Sequence, residues 1–294
     1  MNLRQLEAFY WIVRLGGFGA AAHRLGATQP AISARIRELE LSLGAPLFVR
    51  GRRTARMSAR GRALFPLAEE ALGVIARIRA EIADAPGIGG VVRIGMGEIV
   101  ALSWFPAFLA KVSEAWPSVR IQAFMDVTNN LNRMLDESAL DLALVVTPRE
   151  GSFVSQSVGS TPLYWMGAPS LVGSKATPGP DELSGLPVYT LTQNSHLHTK
   201  TMNWFQTRGC RPRMIHSCNN LGVIMKLVTM GRGIALIPPI LTARELADGD
   251  LRLLSPDSEE RTEFFLVRHR DEIDPAILKI AEMAIQTTVF HPTR

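Results

Sequence analysis

The sequence predicts an α/β protein in three parts: an N-terminal winged helix-turn-helix, a linker helix, and a body where strands and helices alternate. Three observations predict it. Residues 28–40 carry a capped, one-sided helix with a short polar tip, followed by an Arg-rich loop. An apolar stripe at three- and four-residue steps then runs from about Ser58 to Ala83. Beyond residue 90, short β-branched runs alternate with helical patterns, an order that gives parallel sheets covered by helices.

The first helix is striped by Leu3, Leu6, Phe9, Tyr10 and Val13, and Asn2 and Gln5 stand at capping-box spacing before it. A short second helix, Phe18 to Leu25, is rich in small residues that permit close helix crossing; Gly26 ends it and leaves a tight turn. Thr28 then N-caps the third helix, and Pro30 falls in the first turn, where its missing N–H costs little. Ile32, Ile36, Leu39 and Leu43 form one apolar stripe, and Gly44 supplies a left-handed stop. The opposite face carries Pro30, Ser33, Ala34 and Arg37, with Gln29 at the tip. A helix with one buried stripe and a short polar tip suits a major groove. Two extended runs within residues 47–58 flank a Gly–Arg tip and read as a β-wing, which aims Arg50, Arg52 and Arg53, beside Thr54, at phosphate.

From Ser58, Leu64, Leu67, Ala68, Ala71, Leu72, Ile75, Ile78 and Ile82 recur at helical steps. Such a stripe needs a partner, either a second copy or its own domain. Pro66 should kink this helix or end a first segment, and residues 86–90 form a Pro–Gly hinge. The body then reads as strands at residues 91–96, 119–124 and 140–146, with helices at 104–115 and 129–135 between them. A second round places strands at 163–166, 187–191, 214–218 and 233–237 and helices at 199–208 and 221–229. A late strand at 264–268 and a last helix at 276–286 close the chain.

Charge separates the parts. Residues 1–62 hold eleven arginines against three glutamates, whereas residues 91–294 are close to neutral. A basic head on a neutral body is the footprint of a nucleic-acid reader with a separate second task. The two cysteines are too few for a disulfide framework. No signal peptide opens the chain and no apolar run reaches the ~20 residues that span a bilayer, which points to the cytoplasm and away from membranes. No nucleophile elbow, P-loop or dinucleotide fingerprint is present, so nothing supports an enzyme or a bound cofactor. His196, His198 and His216 do not stand at the spacing of a closed metal site.

Residues 1–62 closely resemble the winged helix-turn-helix of the LysR-type transcriptional regulators. The resemblance is carried by residues 3–6, Phe9, Phe18, Ala21, Ala22, Leu25, residues 29–33, Ile36, Leu39, Glu40, Leu43, Gly44, Leu47, Phe48, Arg50, Arg53, Ser58 and Gly61. The chain departs from the family at Gly17, Gly19, Ala34, Ala59 and Arg60. The body resembles both the effector domain of that family and periplasmic binding proteins, through residues 91–95, 140–144 and 231–238. The resemblance implies a DNA-binding domain at 1–58, a dimerising linker helix and hinge at 59–86, and a two-lobed effector domain at 87–294. Lobe I would take about 91–160 and 268–294, and lobe II about 161–267. It implies double-stranded operator DNA, a small-molecule effector and further copies of the chain, as dimer or tetramer, as partners. The competing class is a solute-binding protein without a transcriptional role, which leaves the first 85 residues without an account.

In open α/β sheets a ligand lies outside the strand carboxyl ends, near helix N-termini. That places Glu98, Ile99 and Val100, Thr128, Thr147, the loop of Thr192, Asn194, Ser195 and His196, then Asn219, Asn220 and Pro238 around the effector. The hydrogen-bonding residues among these serve equally well as plain helix caps. Many family members put Ser or Thr in the first loop, to hold an effector carboxylate. Glu98 would repel one unless it points away, and favours an amine or hydroxyl; it also suits an exposed place near a helix N-terminus. Cys210 and Cys218 fall later in the chain than the cysteines of the peroxide-sensing branch, and Cys218 reads as a core residue.

Overall fold

A computed structural model of the chain describes residues 1–49, 55–82, 88–172, 177–255 and 260–291. The head opens with α1 (Leu3–Leu15), where Asn2 and Gln5 form the expected capping box, and Gly16 ends the helix at φ 72°. Helix α2 spans Phe18–Arg24 and α3 spans Gln29–Leu43. The three pack around Phe9, Tyr10, Ile12, Ile32, Ile36 and Leu39, all nearly inaccessible to water. The apolar stripe of α3 stops one turn short of expectation. Leu47, arriving from the wing, joins this core, while Leu43 stays 40% exposed. Phe48 and Met57 form an isolated antiparallel bridge at the wing's base.

Helix α4 (Ala59–Ile82) is continuous with Pro66 inside it, so of the two expectations for Pro66, a kink or an end, the end is not met. Packing on both sides of Pro66 offsets its lost hydrogen bond. Phe65 stacks on Tyr10 with ring centroids 5.8 Å apart, and Ala68 and Leu72 are buried in the head core. Half of the linker stripe therefore packs within its own domain. Leu67, Val74 and Ile78 stay exposed on the outer face.

The body holds two sheets that share their crossing strands. Lobe I contains β1 (Gly90–Met96), β2 (Val119–Met125) and β3 (Leu142–Val145), all parallel, with α5 (Glu98–Leu102), α6 (Phe105–Ala115) and α7 (Thr128–Asp136) between them. The long strand β4 (Phe153–Gly167) pairs antiparallel with β9 (Glu260–His269) along most of its length and leaves for lobe II at Tyr164. The sequence reading missed the first ten of the fifteen residues of β4. It also took residues 97–100 as loop, where α5 forms because Glu98 opens the helix and Ile99 and Val100 have a core to enter. Gly159, at φ 97°, lets β4 bend: a Cβ there would meet the His291 carbonyl oxygen at 2.7 Å.

Lobe II contains α8 (Pro169–Val172), α9 (Pro180–Ser184), β5 (Pro187–Thr190), α10 (His196–Thr207), β6 (Met214–Ser217), α11 (Leu221–Thr229) and β7 (Ile234–Ile237), then α12 (Ala243–Asp248) and β8 (Arg252–Leu253). β5, β6 and β7 run parallel, and β7 joins β4. The last helix, α13 (Pro275–Thr287), returns to lobe I and packs on α6 and α4.

The head rests on lobe I through a buried ionic cluster. Arg24 of α2 reaches Asp141 at 3.2 Å and Glu272 at 3.4 Å, and Arg93 of β1 grips Asp141 through two guanidinium nitrogens at 2.8 and 3.2 Å. Tyr10 donates to the Asp271 carbonyl at 2.9 Å, and Arg14 pairs with Glu69 and Asp271. Charges so deeply buried require partners, so the cluster fixes the direction in which the head points.

Candidate DNA-reading head and effector cleft

The reading helix is built as its sequence suggests. Thr28 Oγ1 accepts from the Ala31 amide at 3.4 Å, and Gly44 closes α3 at φ 66°. With Ile32, Ile36 and Leu39 buried, Thr28, Gln29, Pro30 and Arg37 are exposed, and Ser33 and Ala34 are half-buried beside them. Two buttresses aim this face. Gln5 Nε2 donates to Glu38 at 2.8 Å, tying α1 to α3. Glu40 accepts from the amides of Leu47, at 2.6 Å, and Phe48, at 3.2 Å, which fixes the root of the wing to α3. Gly61 is needed where α4 passes under the wing, because a Cβ would sit 2.2 Å from the Leu47 carbonyl oxygen. Arg50, Arg52, Arg53 and Thr54 of the expected wing tip lie outside the described residues. Head and body meet through α1 and α2, so the exposed tip of α3 is not used in docking.

Between the lobes lies a cavity of about 400 Å3. Lobe I contributes Glu98 and Ile99 of α5, Asp126, Thr128 and Asn130 around the start of α7, and Val146. Lobe II contributes Thr192, Asn194, Ser195 and His196, then Asn219. Thr262 and Phe264 of the crossing strand β9 stand two residues apart and so share one face at the cavity.

Four predicted residues do not join it. Val100 is fully buried and turns into the lobe I core. Thr147 is exposed outside the cavity, where Val146 takes the lining place one residue earlier in the β3 exit. Asn220 is occupied as the cap of α11, accepting from Val223 N at 2.9 Å. Pro238 is buried at the end of β7 and begins a 3-10 turn. Asp126, Asn130, Thr262 and Phe264 were missed. Asp126 follows β2 directly, so the strand-end rule could have found it; the β9 pair depends on a strand returning from distant sequence.

Among the described residues, Glu98 is the one carboxylate that reaches across the cleft. Its Oε1 and Oε2 accept from the Leu221 amide at 2.9 and 3.0 Å, so lobe I caps a helix of lobe II. Burial holds its carboxyl above the usual carboxylate range, and the Leu221 hydrogen bond opposes that shift. Desolvation and the nearby charge of Lys200 push His196 below the ordinary imidazole range, which leaves it neutral at pH 7. Ser195 caps α10, accepting from Leu197 N at 3.2 Å. The Thr262 hydroxyl is buried and, among the described residues, has no hydrogen-bond partner.

Two family models match in tandem. Residues 3–62 match the bacterial regulatory helix-turn-helix protein, lysR family, and residues 85–288 match the LysR substrate binding domain. The chain belongs to the LysR family of transcriptional regulators. These proteins bind DNA through their heads, respond to small-molecule effectors and form oligomers. The head match removes the case for a solute-binding protein without a transcriptional role. The regulator CzcR of Bacillus anthracis is 27% identical over 238 residues, 81% of this chain and 80% of its own. ArgP from Mycobacterium tuberculosis shares the fold over 99% of this chain and 98% of its own, at 20% identity and a TM-score of 0.67. LysG from Corynebacterium glutamicum, solved with its effector Arg bound, covers 99% of this chain and 100% of its own, at 18% identity and a TM-score of 0.63.

The Cys210 thiol lies 3.1 Å from an Asp181 oxygen, which raises its pKa and disfavours the thiolate; Cys218 packs against the lobe II core. Among the described residues, no group of three His, Cys, Asp or Glu could hold a metal ion, and no helix is long and apolar enough to cross a membrane.

Proposed function

We propose that this LysR regulator reads operator DNA through Gln29, Pro30, Ser33, Ala34 and Arg37, with Thr28 capping the helix and Arg50, Arg52, Arg53 and Thr54 gripping phosphate. It takes its effector between the lobes, against Glu98, Ile99, Thr128, Thr192, Asn194, Ser195, His196 and Asn219. It works in the cytoplasm and catalyses nothing. The division is head 1–58, linker 59–86 and body 87–294, with the lobes exchanging chain within β4 and β9. The observation that carries this reading is the Glu98–Leu221 hydrogen bond beside the cavity, since a ligand seated there contacts both lobes at the point where they are already tied. Such a ligand biases the lobes, and the head, clamped to lobe I by Arg24, turns with that lobe.

Copies associate through the outer face of α4. Leu67, Ala71, Val74 and Ile78 alternate at four- and three-residue steps, a heptad seam, and Leu67, Val74 and Ile78 are exposed in the single chain. The test is footprinting of the full chain on DNA flanking its own gene, with and without a metabolite extract from its host. A protected pair of half-sites whose spacing or bend changes with the extract supports the proposal; protection indifferent to sequence overturns it.

A further inference from the structure

The walls of the cleft carry a one-sided charge. Among the described residues, Glu98 and Asp126 line it and no Lys or Arg does, and desolvation lowers the pKa of His196. The nearest cation on α10, Lys200, is engaged by Glu260 at 3.2 Å. The site at the N-terminus of α11, which would otherwise attract an anion, is filled from within by the Glu98 carboxylate. Both Glu98 oxygens share the single Leu221 N–H, although an ionised carboxylate offers about four acceptor positions. Among the described residues no other donor reaches this carboxylate, so a ligand in the cavity can supply one. Thr262 adds an independent sign of a missing partner: the residue lines the same cavity, is 2% exposed, and among the described residues its buried hydroxyl has no hydrogen-bond partner.

We infer that the effector is a small amine whose ammonium group is held by the Glu98 carboxylate, with Asp126 at the rim and the Thr262 hydroxyl beneath. This rests on the cleft being the effector site. An ammonium supplies three donors and no acceptor, the complement of these groups, and its charge offsets the cost of burying Glu98. A carboxylate ligand would face like charges and find the α11 amide already taken. Because Glu98 also ties lobe I to lobe II, its ligand strengthens the closed arrangement at the tie itself.

The test measures full-length protein by thermal shift and calorimetry against two matched triplets: benzylamine, benzyl alcohol and benzoate; 1,5-diaminopentane, 1,5-pentanediol and glutarate. The amine should bind most tightly in each triplet. Glu98→Gln keeps an acceptor for Leu221 while removing the charge, so it should weaken the amines by roughly tenfold or more and narrow their lead over the alcohols. Thr262→Val should weaken the amines without changing the charge preference. If the carboxylates bind best and Thr262→Val weakens them, the cleft stands and the inference about charge is overturned. Amines that bind equally well to wild type, Glu98→Gln and Thr262→Val sit elsewhere and overturn it too, as does a lack of response to both amines.

Discussion

Arg24→Met tests whether the buried ionic cluster sets the head on the body. The substitution keeps a stem of similar length against Trp11, whose ring lies 4.6 Å from the guanidinium carbon, and removes the charge together with its N–H donors. Asp141 keeps Arg93, but Glu272 is left with the Asp274 amide at 2.9 Å as its remaining donor among the described contacts. The Glu272 side chain is 3% exposed, and burial already holds its carboxyl above the usual range, against the pull of Arg24. Removing one partner of a buried pair costs ~3–5 kcal/mol, or ~6–20 °C of melting temperature for a domain of this size. The head can escape part of that cost by undocking and rehydrating Glu272. The expected result is therefore either a large drop in one transition or a separate, earlier transition for the head. Hydrogen exchange at residues 18–25 and 270–275 should accelerate in both cases. The raised carboxyl sets the pH dependence: a group with a raised folded pKa stabilises most below its unfolded value, so the Glu272 contribution fades as pH rises from about 4.5 through the folded value. Glu272→Gln in the Arg24→Met background should recover part of the loss. A single transition shifted by less than ~1 kcal/mol, with exchange unchanged, would refute the clamp, since a pair worth that little is of the solvated surface kind.

Val74→Glu places a charge in the proposed seam of α4 and should lower the mass seen by light scattering at micromolar concentration, at a cost of several kcal/mol per interface; an unchanged mass refutes the seam. His269 sits against Phe153 and bonds to the Leu135 carbonyl, and burial holds its pKa below 6.5. Its stabilisation is present above pH 6.5 and lost as pH falls through the folded value, so urea midpoints should drop over that range in wild type and less in His269→Asn. Gly61→Ala should cost ~1–3 kcal/mol and loosen the wing, read as weaker binding to all DNA, because its Cβ collides with the Leu47 backbone.

The head was legible because its signals are local. A cap at Thr28, a stripe at Ile32, Ile36 and Leu39 and a left-handed Gly44 each act within a few residues, and each stands in the structure as read. The linker was half legible: its stripe was plain, but the stripe alone could not say that Ala68 and Leu72 face inward while Val74 and Ile78 face out. In the body, strand ends placed Glu98, Thr128, Thr192, Asn194 and Asn219 at one cavity. The same rule overreached at Asn220, which caps α11, at Val100 and Pro238, which are buried, and at Thr147, which is exposed beyond the cavity while Val146 lines it. Thr262 and Phe264 were not legible, because their place depends on β9 pairing with β4 about a hundred residues earlier. The Glu98–Leu221 contact spans a similar gap, so its meaning had to come from the fold.

The most direct test of the account is Gln29→Ala measured on operator and on random DNA at several salt concentrations. Gln29 is exposed at the tip of α3, on the face opposite the buried stripe. A lost base-edge pair should weaken operator binding by ~1–3 kcal/mol and leave random DNA and the salt slope nearly unchanged. An equal loss on both DNAs would mean that this tip contacts backbone only, and would contradict the assignment of α3 as the element that reads sequence.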